Sequence, residues 1–147
     1  MNGQIKIKKL DERAVIPTYG SDYSAGADIY AFCENNIIIN PGETALIRTG
    51  FAIEIPIGYG GFIFARSGVA SKKGLAPANK VGVIDSDYRG EVVVALHNHS
   101  NDSKVVEPGD RIAQLVIMPF YKAEFVETDS LNDTIRGDGG FGSTGEK

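Results

Sequence analysis

FAIEI, residues 51–55, sets the reading of the fold. Its apolar residues alternate, so Phe51, Ile53 and Ile55 share one face of an extended strand. Pro56 and Gly58 then stop the run. The same pattern continues outward in both directions. EVVVAL (91–96) reads as a strand buried on both faces. RIAQLVIM (111–118) suits helix or strand by period alone; its β-branched content, the Pro108-Gly109 turn before it and Pro119 after it favour strand. Strands are predicted near 4–9, 27–32, 36–39, 44–55, 61–65, 81–85, 91–97, 112–118 and 122–127. Helix is limited to one short turn within SGVASKKG (67–74), since no longer window has a period near 3.6. With 18 glycines and six prolines as punctuation, the chain reads as all-β: a sandwich, barrel or jelly roll.

At 147 residues one domain is expected, large enough to bury a normal core. Hydrophobic residues at 42%, against 23% charged, point to a soluble globular chain. No apolar run is long enough to span a bilayer, and MNGQIKIKKL lacks the apolar stretch of a signal peptide. The single cysteine, Cys33, excludes an intramolecular disulfide and a cysteine-based zinc site, and suits a reducing, cytoplasmic setting. A net charge of -4 is not the footprint of a nucleic-acid binder. An anionic ligand would have to be held by local geometry or a metal. After Thr128 the apolar pattern fades, so we expect a domain over 1–128 and a flexible, glycine-rich arm over 129–147.

Five segments hold the candidate chemistry, each with a plainer alternative. In GVIDSDYRGE (82–91), Asp85 and Asp87 share strand parity and can face one site as general-base candidates; the alternative is a polar hairpin turn. In ARSGVASKKG (65–74), Arg66 offers a planar fork, Ser67 a hydroxyl and Gly68 an approachable amide for an anion at a helix N-terminus; the alternative is a capped turn. GGFGSTG (139–145) has the logic of a phosphate-cradling loop, with Phe141 free to stack on a base, or is simply a loose terminus. In AGADIYA (25–31), Asp28 can orient the waters of Mg²⁺ or face solvent. Gln114, in an apolar run, needs a hydrogen-bond partner, either backbone or ligand. His97 and His99 make too small a set for a metal site.

In their order, AGADIYA, ARSGVASKKG, GVIDSDYRGE, GDRIAQLVIMP and RGDGGFGSTG resemble the five motifs of the trimeric dUTP diphosphatase (dUTPase) family, from Ala25 to Gly145. The resemblance implies a jelly-roll-like β-barrel subunit of a homotrimer. It also implies Mg²⁺-dependent hydrolysis of dUTP to dUMP and pyrophosphate, which clears dUTP from the nucleotide pool and supplies dUMP for thymidylate synthesis. Sites shared between subunits, each closed by a C-terminal arm, are implied as well.

The implied roles follow position by position. Asp85 activates the water that attacks the α-phosphorus. Tyr88 packs under the deoxyribose. Asn79 and the backbone around Val83 and Ile84 read uracil. Arg66, Ser67, Gly68 and Gln114 contact the phosphates, and Asp28 meets the metal through water. Arg136 reaches the γ-phosphate, Phe141 stacks on uracil, and Gly142, Ser143, Thr144 and Gly145 complete the phosphate cover. Neither nucleic acid nor membrane is an implied partner. A dCTP deaminase shares the fold, but its third motif departs from DSDY, whereas Asp85–Tyr88 keeps it. A non-catalytic relative acting through protein partners is the rival from another class.

Overall fold

The computed structural model describes residues 3–140 and forms two packed antiparallel sheets with a small third one. The four-stranded sheet has the order β1 (Lys6–Lys9), β5 (Thr44–Glu54), β9 (Glu91–Asn98), β7 (Leu75–Pro77). The five-stranded sheet has the order β2 (Thr18–Tyr19), β3 (Ala27–Tyr30), β11 (Arg111–Pro119), β6 (Tyr59–Phe64), β8 (Gly82–Ile84). A two-stranded ladder joins β4 (Ile37–Ile39) to β10 (Lys104–Val106). This is the all-β architecture that the punctuation predicts, in the jelly-roll-like form that the family resemblance implies.

The core fills the space between the sheets. Phe51, Ile53 and Ile55 are all buried, as their alternation requires, and they meet Ile29, Ile63 and Leu115 from the opposite sheet. Ile39 and Val106 cap one end from the small ladder. Asn98, fully buried at the end of β9, joins the layers: its Nδ2 donates to the Ile39 and Asp102 carbonyls, both at 2.8 Å. A buried amide with every bond made fixes register as firmly as an apolar contact does.

β5 carries a bulge. Arg48 pairs with Val93 and Ala52 with Glu91, so four residues of β5 advance while β9 advances two. Gly50 adopts a φ of +73° within it, and a Cβ there would lie 2.6 Å from that of Ala14. The buried Thr49 hydroxyl donates to the Val92 carbonyl at 2.6 Å.

Several expectations need correction. No strand forms over 122–127; β11 ends at Pro119, and residues 120–138 are exposed with no strand partner. β9 is buried on one face only: Val92, Val94 and Leu96 point inward, whereas Val93 is 40% exposed. Its other face has no second layer over it among the described residues. The strand expected at 81–85 stops at Ile84. Three short strands, β2, β7 and β10, carry no alternation long enough to read. β7 even contains Pro77, tolerated because β7 is an outer strand. The helical turn within 67–74 is a single π-helical turn, Val69–Lys73.

The N-terminal segment is tied down electrostatically. Arg13 binds Asp11 and Glu34 at 2.9 and 2.8 Å, and its guanidinium and that of Arg48 both lie 5.5 Å from the Phe32 ring centre. Hydrogen bonds from Arg13 hold the Asp11 carboxyl down at about 2 and lower that of Glu34. A depressed carboxylate contributes stability above its unfolded value, and that contribution disappears as pH falls through the folded one. Acid should therefore weaken the fold shallowly between pH 3.8 and about 2. Arg13→Ala should flatten that decline in urea midpoints measured across the window; an unchanged pH profile would reject the pair's role.

Candidate functional site

The larger cleft, about 690 Å³, opens where β3 and the segment after β6 converge on β11. β11 lies between β3 and β6, and Gln114 pairs with Asp28 on one side and Phe64 on the other. Asp28 and Arg66 are thus brought together across 38 residues of chain: Arg66 Nε donates to Asp28 Oδ1 at 2.6 Å. The Asp28 side chain is only 13% exposed, so it does not face solvent. A second guanidinium, from Arg111, approaches Asp28 Oδ2 at 3.4 Å. The carboxylate lies between two arginines and holds the Arg66 guanidinium at the cleft wall.

Gln114 finds a backbone partner, donating from Nε2 to the Ala65 carbonyl at 2.9 Å. Gly26 makes room for it, since a Cβ there would sit 3.0 Å from Gln114 Cδ. Ser67 and Gly68 are exposed at the cleft wall ahead of the π-helical turn. That turn has five residues, so an anion here would rely on Arg66 and individual amides rather than a helix dipole.

Sequence reasoning missed Arg111, Lys73 and Asp110, which also line this cleft. Arg111 and Gln114 are three apart, and strict alternation would put them on opposite faces. A register shift between Arg111 and Ala113 turns both toward the cleft. The Gly109-Asp110-Arg111 turn just before the strand was the available signal.

The second cleft, about 240 Å³, is lined by Asn79, Val83, Ile84, Asp85 and Tyr88, among others. It gathers every residue predicted to read a nucleoside except those of the arm. β8 is an edge strand, so main-chain groups on its outer side have no strand partner and are available to a ligand. Ile84 points into the core, which leaves only its backbone for recognition. Asp85 is exposed and opens a tight turn in which its carbonyl accepts from the Tyr88 N–H at 3.1 Å. Asp85 to Tyr88 therefore form a tight turn but not a hairpin, since β8 and β9 lie in different sheets, and Asp85 and Asp87 do not share a strand face: Asp87 does not line the cleft. The two clefts have no lining residue in common.

Comparison with known proteins adds the family. The sequence pattern of the dUTPase family matches residues 12–145. The chain belongs to the dUTPase family. It is 51% identical over 146 residues to deoxyuridine 5'-triphosphate nucleotidohydrolase of Desulfitobacterium hafniense, covering 96% of this chain and 97% of that one. Its fold superimposes with a TM-score of 0.84 on a mutant dUTPase of Staphylococcus bacteriophage 80alpha with dUpNHpp, at 28% identity, covering 98% of this chain and 99% of that one. A mutant dUTPase of phage phi11, with a TM-score of 0.80 and 26% identity over 89% of this chain and 100% of that one, is described with a structural Mg(II) ion.

Within this family member, no group of three or more His, Cys, Asp or Glu side chains among the described residues is arranged to hold a metal. Asp28 spends its best-placed oxygen on Arg66, and Oδ2 has only long contacts, at 3.5 and 3.4 Å. That donor set fits a cation held mainly by a ligand's phosphates and by water. Arg136 lines neither cleft in the single chain; its Nε donates to the Gly139 carbonyl at 2.8 Å. Phe141, Gly142, Ser143, Thr144 and Gly145 lie outside the described residues.

Asp28→Ala would leave two guanidiniums without their shared acceptor. Stability should fall by about 1–3 kcal/mol, read from the denaturant midpoint. An unchanged midpoint would mean that the carboxylate contributes nothing to holding this wall together.

Proposed function

We propose that the chain hydrolyses dUTP to dUMP and pyrophosphate at a site assembled from both clefts. The observation that carries this is the division of chemistry between them. One is polar and rich in arginine; the other joins an edge strand's backbone to Tyr88 and the exposed carboxylate of Asp85. The family resemblance supplies the homotrimer, with sites shared between chains; in such an assembly one chain's nucleoside cleft would meet another chain's phosphate cleft. Val93, exposed on an otherwise central strand, is consistent with a sheet face that a neighbouring chain covers.

In this mechanism Asp85 accepts the proton of the water that attacks the α-phosphorus. The Arg66 fork, the Ser67 hydroxyl, the Gly68 amide and Gln114 take the phosphate oxygens and stabilise the pyrophosphate leaving group. Backbone donors and acceptors near Val83 and Ile84, with Asn79, read the uracil edge; cytosine reverses that polarity. Tyr88 lies under the deoxyribose, where a 2′-hydroxyl would clash. Mg²⁺, when bound, supplies charge neutralisation on the triphosphate, and Asp28 would hold it through water. Over residues 129–147 the arm closes the site: Arg136 on the γ-phosphate, Phe141 on uracil, and Gly142 to Gly145 over the phosphates. Closure excludes water and fixes the in-line geometry.

A cytoplasmic setting suits the one free thiol. Burial is the main influence raising the Cys33 pKa, which disfavours the thiolate. No helix among the described residues is long and apolar enough to cross a membrane.

Pyrophosphate release should be seen with dUTP and Mg²⁺ and be near background with UTP, dCTP and dTTP. Asp85→Asn should lower turnover by roughly 10²- to 10⁴-fold while a non-hydrolysable analogue still binds. Silence on all four nucleotides from folded wild type would instead assign the site to binding alone. Deleting residues 136–147 should remove most activity and leave the trimer intact by light scattering; dissociation would make the arm a structural element.

A further inference from the structure

Tyr88 does not project freely from its turn. Its hydroxyl donates to the Glu91 carbonyl at 2.9 Å, folding the ring back over the backbone of residues 90 and 91. Gly90 is what permits this. A Cβ at Gly90 would stand 2.6 Å from Tyr88 Cζ and 3.0 Å from Cε2, so the ring would have to move. The glycine is not there for a left-handed backbone, because its φ is not positive. It is there to leave a slot for the ring.

The carbonyl that holds the phenol is itself anchored. The Glu91 side chain is only 19% exposed. Its Oε1 accepts the Gly50 N–H at 2.9 Å, and Oε2 accepts from Arg48 Nε at 3.0 Å. Both donors belong to the β5 bulge. Glu91 also opens β9 in register with Ala52, just past that bulge. The position of the Tyr88 ring is therefore set by a relay: bulge to Glu91 carboxylate, Glu91 backbone to phenol, and an empty slot at Gly90.

We propose that Gly90 and Glu91 are positioning residues that aim Tyr88 and so set the discrimination between deoxyribonucleotide and ribonucleotide. This rests on the reading of Tyr88 as the surface beneath the sugar. The ring can exclude a 2′-hydroxyl only if its distance from the sugar is fixed, and a freely rotating tyrosine would yield to it. Gly90 does not line the nucleoside cleft, and Glu91, which does, has its carboxylate committed to Gly50 and Arg48, so their loss should act on substrate choice and KM more than on kcat.

The test compares kcat and KM for dUTP and UTP, with Mg²⁺, in wild type, Gly90→Ala, Glu91→Ala, Glu91→Gln and Tyr88→Phe. Gly90→Ala is the cleanest probe, since alanine suits its backbone and only the ring must move. The dUTP-over-UTP ratio of kcat/KM should fall roughly five- to tenfold in Gly90→Ala, Glu91→Ala and Tyr88→Phe, the size expected for losing one hydrogen-bonded constraint. It should fall mainly through KM, with the thermal midpoint of Gly90→Ala near that of wild type. Glu91→Gln keeps an oxygen for the Gly50 N–H and should recover most of the ratio. Ratios unchanged in Gly90→Ala and Glu91→Ala would overturn the proposal, as would a loss confined to kcat. A wild type inactive on both nucleotides would sink the functional reading alone. The relay would then be judged by a crystal structure of Gly90→Ala, where a Tyr88 ring still bonded to the Glu91 carbonyl would reject it.

Discussion

A strand that gains residues against its neighbour leaves backbone N–H and C=O groups with no ladder partner, and each must find another hydrogen-bond partner. In this chain that constraint falls on β5 between Arg48 and Ala52, and distant segments answer it. The Gly50 carbonyl accepts from the Leu10 N–H at 2.8 Å, and the Arg48 carbonyl accepts from the Phe32 N–H at 2.8 Å. The Gly50 N–H goes to Glu91, and the Thr49 hydroxyl closes onto Val92. The N-terminal segment, the loop after β3 and the start of β9 are thereby pinned to one point. The apolar core sets how strongly the sheets adhere; the bulge sets which segments end up beside one another.

Both clefts inherit their precision from such local irregularities. On β11, a register shift turns Arg111 toward the same cleft as Gln114. After β8, a tight turn releases Asp85 from the strand and brings Tyr88 back toward Glu91. Regular ladders supply the frame, and the departures from regularity aim the side chains.

Much of this was legible from residue order. The long strands follow from alternation, because FAIEI can bury Phe51, Ile53 and Ile55 together only when extended. The residues of the first four motifs, read by family likeness, line two clefts, whereas Arg136 lines neither and residues 141–145 lie outside the described ones. What escaped reading has physical causes. Strands of two or three residues, such as Thr18–Tyr19, are too short to show a period. YKAEFV (121–126) has the composition of a strand, but no partner strand meets it among the described residues. Arg111 was hidden because its placement depends on a bulge, and a bulge breaks the parity from which facing is inferred. Asp87 was misplaced for the converse reason: parity was applied where the strand had already ended at Ile84.

The bond between Arg66 and Asp28 has a further consequence. A long, flexible side chain that must be ordered by its ligand gives up rotamer entropy at each encounter. Here Arg66 is already immobilised, with both its fork and a backbone carbonyl engaged. That loss is incurred once, when the chain folds, and is not repeated at each turnover. An anion entering the cleft meets a rigid receptor whose selectivity lies in charge geometry alone. On the proposed reading, such a receptor would treat the phosphates of every nucleoside triphosphate alike, leaving the choice among nucleotides to the other cleft.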